Sequence, residues 1–467
     1  MLQDSKPASH LDRPVHTDAS PPGPKGWPLL GSLIGFARDP LGFLTACSRQ
    51  YGDVVAFRTA GQLMLVLICP REIERVLVKD HQNFPKNEHF WRQVTALFGN
   101  GLLTSKGTFW QRQRRLAAPA FAGPRLASYA DTMVHESTRT AEGWRDGDVR
   151  DVHADMMALA LRIAAKALFG TEVEEDVLVI DNALNDILAE LASRVVRPIL
   201  IPDAVPLPGH VRYRRALRRI DEIVARIITE RRSSSAASAD FLSALMRARD
   251  EDGTAMSDRQ LRDEVVTFLL AGHETTALVL SWTIHLLSRH PEVDRVLAAE
   301  IDEVVGQRAA TFDDVPLLRF TEHTILESMR LYPPAWAIGR EARSDCQIGG
   351  FDVRAGTPIL ISPWVLHRDP RFFEEPEAFR PERWQQGLAQ RLPRFAYMPF
   401  GGGPRICIGN RFAVIEAVLI LATLVQRFGF IVDPDRPVVP VPSMTLRPKE
   451  GVRVRLEERG RRISQAA

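Results

Sequence analysis

Cysteine is sparse in this chain of 467 residues and is never clustered. Cys47, Cys69, Cys346 and Cys407 form no C-x-x-C pair, which argues against a zinc site or a disulfide framework and fits a reducing cytoplasm. An excess of one charge is missing too. With 60 basic against 58 acidic side chains, net +2, there is no electrostatic case for a nucleic-acid partner. Long hydrophobic runs are also absent. The longest apolar stretch, Ala413 to Val425, is broken by Glu416 and is too short for a bilayer span. Residues 1–20 are polar, carry no apolar core of a signal peptide or anchor, and read as a disordered tail. No G-x-G-x-x-G follows a strand, and neither a P-loop nor an internal repeat occurs, so no flavin or nicotinamide module is fused here. These absences lead to the expectation of a soluble, cytoplasmic protein with no integral membrane anchor.

The chain does contain material for a large core, with 45% hydrophobic residues and 32 prolines. One loop concentrates the chemistry: Phe400-Gly401-Gly402-Gly403-Pro404-Arg405-Ile406-Cys407-Ile408-Gly409. Its glycines let the backbone lie against something flat. A helical run from Arg411 to about Phe428 turns its free amides and positive dipole end toward the Cys407 sulfur, which favours a thiolate. Such a thiolate suits an axial position of a haem iron, tuned by amide hydrogen bonds. A free cysteine is more often a small buried apolar residue, but it does not come with this pattern. The loop resembles the haem-ligand loop of the cytochrome P-450 monooxygenases, F-G-x-G-x-R-x-C-x-G, at every fixed position.

A second segment lies inside a long helix. Ser257-Asp258-Arg259-Gln260 reads as a capping box, and helical character continues to His290, just before Pro291. That rod is ~50 Å long at ~1.5 Å per residue. Halfway along stands Ala271-Gly272-His273-Glu274-Thr275-Thr276, poor helix-interior residues whose presence needs a reason beyond propensity. Thr275 can bond the Ala271 carbonyl and open a groove in the helix. The segment is similar to the family's A-G-x-[DE]-T-T motif. The resemblance implies a dioxygen groove with Thr275 as hydroxyl donor and Glu274 as proton relay. A kink without chemistry would use the same residues. His273 reads as a packed residue, not a second iron ligand.

Other positions follow from the resemblance. Glu327, Arg330 and Arg383 match the E-x-x-R and P-E-R-[FW] motifs and imply a buried structural triad. Trp110 and Arg114, with Arg340 and Arg405, match positions that bind the propionates of haem b, a task suited to the planar arginine fork. Ala271, Phe400, Gly401 and Gly409 complete the expected cofactor contacts. Phe90, Phe98, Leu102, Phe268, Trp336 and Met444, carried over by position, imply an apolar and partly aromatic pocket for a hydrophobic substrate. Ordinary core packing accounts for any one of them equally well. Electrons would come from a separate ferredoxin or flavodoxin with its reductase, with Arg112 and Arg115 as a basic docking patch.

Val54 to Phe57 and Leu63 to Ile68, around Thr59-Ala60-Gly61-Gln62, read as a β-hairpin. Pro70 opens a helix, residues 110–330 are mostly helical in period, and short strands return at Pro358–Ser362 and Val452–Leu456. Ser233–Ser238 reads as a flexible connector. The proline-rich Pro21–Pro28 resembles the hinge that follows the membrane helix of microsomal members. Together these features imply a mainly α fold with a small β-rich lobe, one domain over residues 21–457 and a polar tail over 458–467. The implied activity is insertion of one oxygen atom from dioxygen into a fatty acid, terpenoid or steroid-like compound. A peroxide-driven hydroxylase, a haem isomerase and a non-catalytic haem sensor are the alternatives.

Overall fold

The computed structural model describes residues 20–171, 176–196, 205–233, 240–250, 252–433 and 436–460. The expected N-terminal tail and serine connector lie outside these, except Ser20 and Ser233, which ends the Pro208–Ser233 helix.

The central helix runs Asp258–Arg289 and opens as its sequence predicts. Ser257 accepts the Gln260 N–H while the Gln260 side chain accepts the Ser257 N–H, so two orphan donors are satisfied at once. Its end is set by Pro291, the first residue of the next helix, Pro291–Val304. Length and composition would let the central helix cross a membrane, but 83% of its most apolar window is buried inside the protein. Around it pack the helices Val152–Phe169, Pro208–Ser233, Arg319–Leu331 and Asn410–Arg427. Their apolar faces meet in one continuous core that includes Leu159, Ile163, Leu280 and Leu421.

A smaller lobe has its own core around Val55, Leu65, Ile73 and Ile359. Its four-stranded sheet takes the order Val54–Thr59, Gln62–Leu67, Pro358–Ile361, Ile338–Glu341. The hairpin turns at Ala60 and Gly61, with φ of 47° and 84°, as a two-residue turn with both central residues left-handed requires. Gln62–Leu67 then pairs in parallel with Pro358–Ile361, which binds the first quarter of the chain to the last.

At the C-terminus the strand Arg453–Glu458 lies between Val149–Asp151 and Phe428–Val432. This corrects the expected start of the polar tail at 458. Glu458 pairs with Phe428, and Arg459 donates to the Val425 carbonyl and to Asp294 at 2.6 Å. Partners distant in sequence hold these residues, so their polar composition gave no sign of it.

Candidate functional site

The Cys407 loop is shaped by close backbone approaches. Gly403 has φ of 67°, and a Cβ there would fall 1.9 Å from the Leu77 carbonyl oxygen. Only glycine lets the loop lie on the Arg75–Lys79 turn. The Cys407 N–H donates to the Phe400 carbonyl at 3.0 Å, closing the loop on itself. Gly409 caps the Asn410–Arg427 helix and turns its N–H toward Cys407. Burial pushes the thiol pKa up, while the Gly409 amide and the Arg114 charge pull against it. Cys407 is walled in by protein yet keeps accessible surface, as do Ala271, Gly272 and Thr275 on one face of the central helix, amid the buried stretches 263–270 and 276–288. Those surfaces are what an inserted planar group would cover.

Four cations gather beside this loop. Arg114 donates to the Ile406 carbonyl at 2.9 Å, next to Cys407. Arg405 lies over the Trp110 ring, 4.0 Å from its centre, and gives one nitrogen to the Ser105 carbonyl at 2.9 Å. Its Nη1 is buried with no partner. The Arg340 side chain is buried and, among the described residues, donates only to the neighbouring Gly339 carbonyl, at 2.8 Å. Lys86 reaches the Leu103 carbonyl. Burial depresses the pKa of Arg340 and Arg405 to about 10 each. It also lowers Lys86, further lowered by the charges of Arg405 and Arg340. Among the described residues none of the four has a carboxylate partner within ion-pair distance. Like charges this close and this dry are costly without an anion. A pair of carboxylates on a planar ligand answers the need, so the site fits haem and its propionates.

Sequence reasoning missed Lys86. It belongs to no motif, and Asn87, which caps the next helix, places it by donating to Glu341 at 2.8 Å. Glu341 lies on the strand that carries Arg340.

On the helix side Thr275 Oγ1 donates to the Ala271 carbonyl at 2.6 Å, the bond the sequence suggested. Glu274 faces elsewhere. It accepts Arg447 Nε at 2.7 Å and the Thr445 hydroxyl, and no hydrogen bond joins it to Thr275. Burial opposes its ionisation, but Arg447 and Thr445 outweigh burial and hold the carboxyl below its usual range. Arg447 also lines a cavity of about 440 Å³ with His153, Asp181, Asn185 and His273. His273 is buried, and burial lowers its pKa to about 4 against the pull of the Glu274 charge and the Met157 backbone, so it is neutral.

Glu327 and Arg330 are fully buried and form two bonds, of 2.8 and 2.9 Å. Arg383 Nε adds a third at 2.8 Å and the Trp384 indole a fourth at 2.9 Å. Arg330 spends its remaining donors on the carbonyls of His367, Pro376 and Ala378. A fork with every donor used pins the segment leading to the Cys407 loop.

The expected pocket residues are less unified. Phe98 and Leu102 are buried at the end of the Glu88–Phe98 helix and in the loop after it. The Trp336 indole donates to Ser443 at 2.8 Å, beside Met444. Phe268 stacks on Phe121 at 5.5 Å and meets Phe241 at 4.4 Å, inside an aromatic cluster of the helical core. Phe90 is 40% exposed, its edge against Trp91. The docking role expected of Arg112 needs correction. That residue pairs with Asp250 at 2.8 Å and donates to the Thr254 carbonyl, so its charge is spent within the fold.

A helical body, a small β lobe, a cysteine bedded among glycines and a central helix with small residues exposed on one face fit a haem protein. The family model described as Cytochrome P450 matches residues 21–455, and the chain belongs to that family. It is 39% identical to a cyclooctat-9-en-7-ol 5-monooxygenase of Streptomyces melanosporofaciens, over 95% of this chain and 94% of the relative. Cyclooctatin synthase of the same organism is 36% identical over 91% and 92%, and pentalenene oxygenase of Streptomyces avermitilis 35% over 95% and 98%. The protein is a cytochrome P450 monooxygenase with a haem-iron cofactor and a hydrophobic substrate.

Proposed function

We propose that this P450 hydroxylates a cyclic terpene-derived compound in the cytoplasm, with Cys407 as the residue that would hold the iron of haem b and electrons from a ferredoxin or flavodoxin with its reductase. The observation that carries the cofactor assignment is the cluster of Lys86, Arg114, Arg340 and Arg405 beside the Cys407 loop, Arg340 buried and the others half-buried, with no carboxylate within ion-pair distance among the described residues. The substrate class rests on the terpenoid names of the relatives and on an apolar surround that includes Phe98, Leu102, Trp336 and Met444. Phe90 and Phe268 belong to that surround only if substrate binding repacks them.

Haem, when bound, supplies reductive activation of dioxygen and transfer of one oxygen atom to carbon. The chain supplies the rest. Trp110 and the four cations would hold the propionates, and the Gly409 amide would temper the sulfur. Ala271 and Gly272 leave a small-residue surface at the groove. The Thr275 hydroxyl, once it turns from the Ala271 carbonyl, donates a proton at that surface. Glu274 would resupply Thr275 after parting from Arg447, which lines the cavity of about 440 Å³ with His153 and Asp181. Glu327, Arg330 and Arg383 keep the proximal segment in place.

The test is spectroscopic and catalytic together. Reduced, carbon-monoxide-bound protein should show the red-shifted Soret band of thiolate ligation, and Cys407→Ser should lose it. A surrogate ferredoxin chain should turn over a cyclic sesquiterpene or diterpene with NAD(P)H. An unchanged band in Cys407→Ser would falsify the ligand assignment. Turnover of fatty acids with no cyclic terpene accepted would remove the substrate class.

A further inference from the structure

Two neighbouring carboxyls on the central helix, Asp263 and Glu264, take no part in the chemistry above, yet they are only 4% and 0% exposed. Both accept bonds from the loop that joins the Glu88–Phe98 helix to the Gly107–Ala117 helix. The Asn100 N–H donates to Asp263 at 2.8 Å, and the Leu102 N–H donates to Glu264 Oε2 at 3.1 Å. The loop is pressed hard against the helix. A Cβ on Gly101 would fall 2.3 Å from the Thr267 hydroxyl oxygen and 2.5 Å from the Asp263 carbonyl.

The two acids differ in their other oxygen. Asp263 uses it on Arg262 at 2.9 Å, an ordinary ion pair. Glu264 uses Oε1 to accept the side-chain N–H of Gln113 at 3.0 Å and has no cation within ion-pair distance among the described residues. Gln113 is itself fully buried, on the helix that carries Trp110 and Arg114. The far end of the same loop is held from the haem side, where Lys86 donates to the Leu103 carbonyl and Arg405 to the Ser105 carbonyl. From Leu102 to Ser105, then, four consecutive residues tie Glu264 to the propionate cations.

We propose that Glu264 is a positioning residue for substrate selection, a two-acceptor clamp that sets the Phe98–Leu102 wall of the pocket relative to the haem-anchoring helix. The inference rests on the haem-thiolate reading above. The choice of side chain supports it. The Leu102 N–H can only donate, and Arg112 Nη1, donating to Gln113 Oε1 at 3.3 Å, turns the Gln113 NH₂ toward Glu264, so a carboxyl accepts from both whereas a glutamine would turn its NH₂ against one of them. Burial drives the Glu264 pKa up to about 7 against the bonds from Leu102 and Gln113, which pull it down. A group so unfavourable to bury has to be explained by what it holds.

The experiment uses haem-loaded wild type, Glu264→Gln and the double exchange Glu264→Gln/Gln113→Glu. Each is titrated with imidazole and with 4-phenylimidazole, and binding is read from the Soret shift. Imidazole is small enough to ligate iron without the wall, whereas the phenyl group has to pack on it. Glu264→Gln should weaken 4-phenylimidazole roughly ten-fold, the loss of one buried bond, and leave imidazole unchanged. The double exchange, in which the new amide donates to the new carboxyl, should restore the affinity. Equal loss for both probes, no loss, or no rescue each overturns the proposal. If Glu264→Gln does not load haem, Asp263→Asn, which weakens the adjacent loop bond, is judged by the same selectivity between probes. Absence of the thiolate band in the reduced wild type would instead sink the haem reading, independently of the clamp.

Discussion

Replacing Arg447 with methionine strands Glu274 in the fold. The Glu274 and Arg447 side chains are 11% and 16% exposed and meet at 2.7 Å, so water screens the pair little. Removing one partner of a buried pair costs about 3–5 kcal/mol when the survivor stays charged. Glu274 can avoid part of this by taking up a proton, so the loss at neutral pH should sit near the lower end, about 3 kcal/mol. The pH dependence has a definite sign. Because Arg447 holds the folded pKa of Glu274 below its usual value, the pair's contribution is full above the unfolded pKa. It is lost as the pH falls through the folded pKa. The deficit of Arg447→Met should therefore be largest at neutral pH and shrink in acid. Guanidinium titrations of the haem-loaded proteins across that range measure it. In the variant Glu274 also titrates closer to neutrality, so NAD(P)H-driven turnover should acquire a pH dependence that the wild type lacks there. An equal deficit at both ends of the range, or none, refutes this account of the pair.

Thr275→Ala should keep haem content and substrate binding while product per NAD(P)H drops several-fold and hydrogen peroxide rises. Coupling equal to wild type would remove the hydroxyl from proton delivery. Glu327→Gln leaves Arg330 and Arg383 buried without their shared counter-charge, a loss of about 3–5 kcal/mol, seen as poor haem incorporation and a lower denaturant midpoint. Full haem occupancy and an unchanged midpoint would contradict the triad's role. Lys86→Gln should speed haem transfer to apomyoglobin several-fold without altering the thiolate spectrum, and an unchanged transfer rate would take Lys86 out of the propionate site.

Local chemistry made much of this protein legible in one dimension. The Ser257–Gln260 capping box, the Ala60-Gly61 turn and the stop before Pro291 each rest on contacts within a few residues, and each has its expected form. The Phe400–Gly409 loop and the Ala271–Thr276 segment are equally local. A glycine that tolerates a left-handed φ and a threonine that bonds four residues back need no distant partner to be recognised.

Direction and partnership were not legible in the same way. Glu274 and Thr275 are adjacent in sequence, but helix geometry turns them about 100° apart at ~3.6 residues per turn, and only tertiary packing delivered Arg447 to one of them. Arg112 looked like a docking charge until the loop at Asp250 folded onto it. Phe268 was given to the pocket by position and to a core cluster by packing. Lys86, Glu264 and Gln113 lie outside every motif. Their roles exist only because the Gly99–Ser105 loop is held between the central helix and the cation cluster. The sequence alone determined the cofactor chemistry, because residue types at short spacing carry it. The tertiary structure decided which charges are neutralised, which are left for a ligand and what each acid faces, because burial and distance to groups far along the chain set those energies.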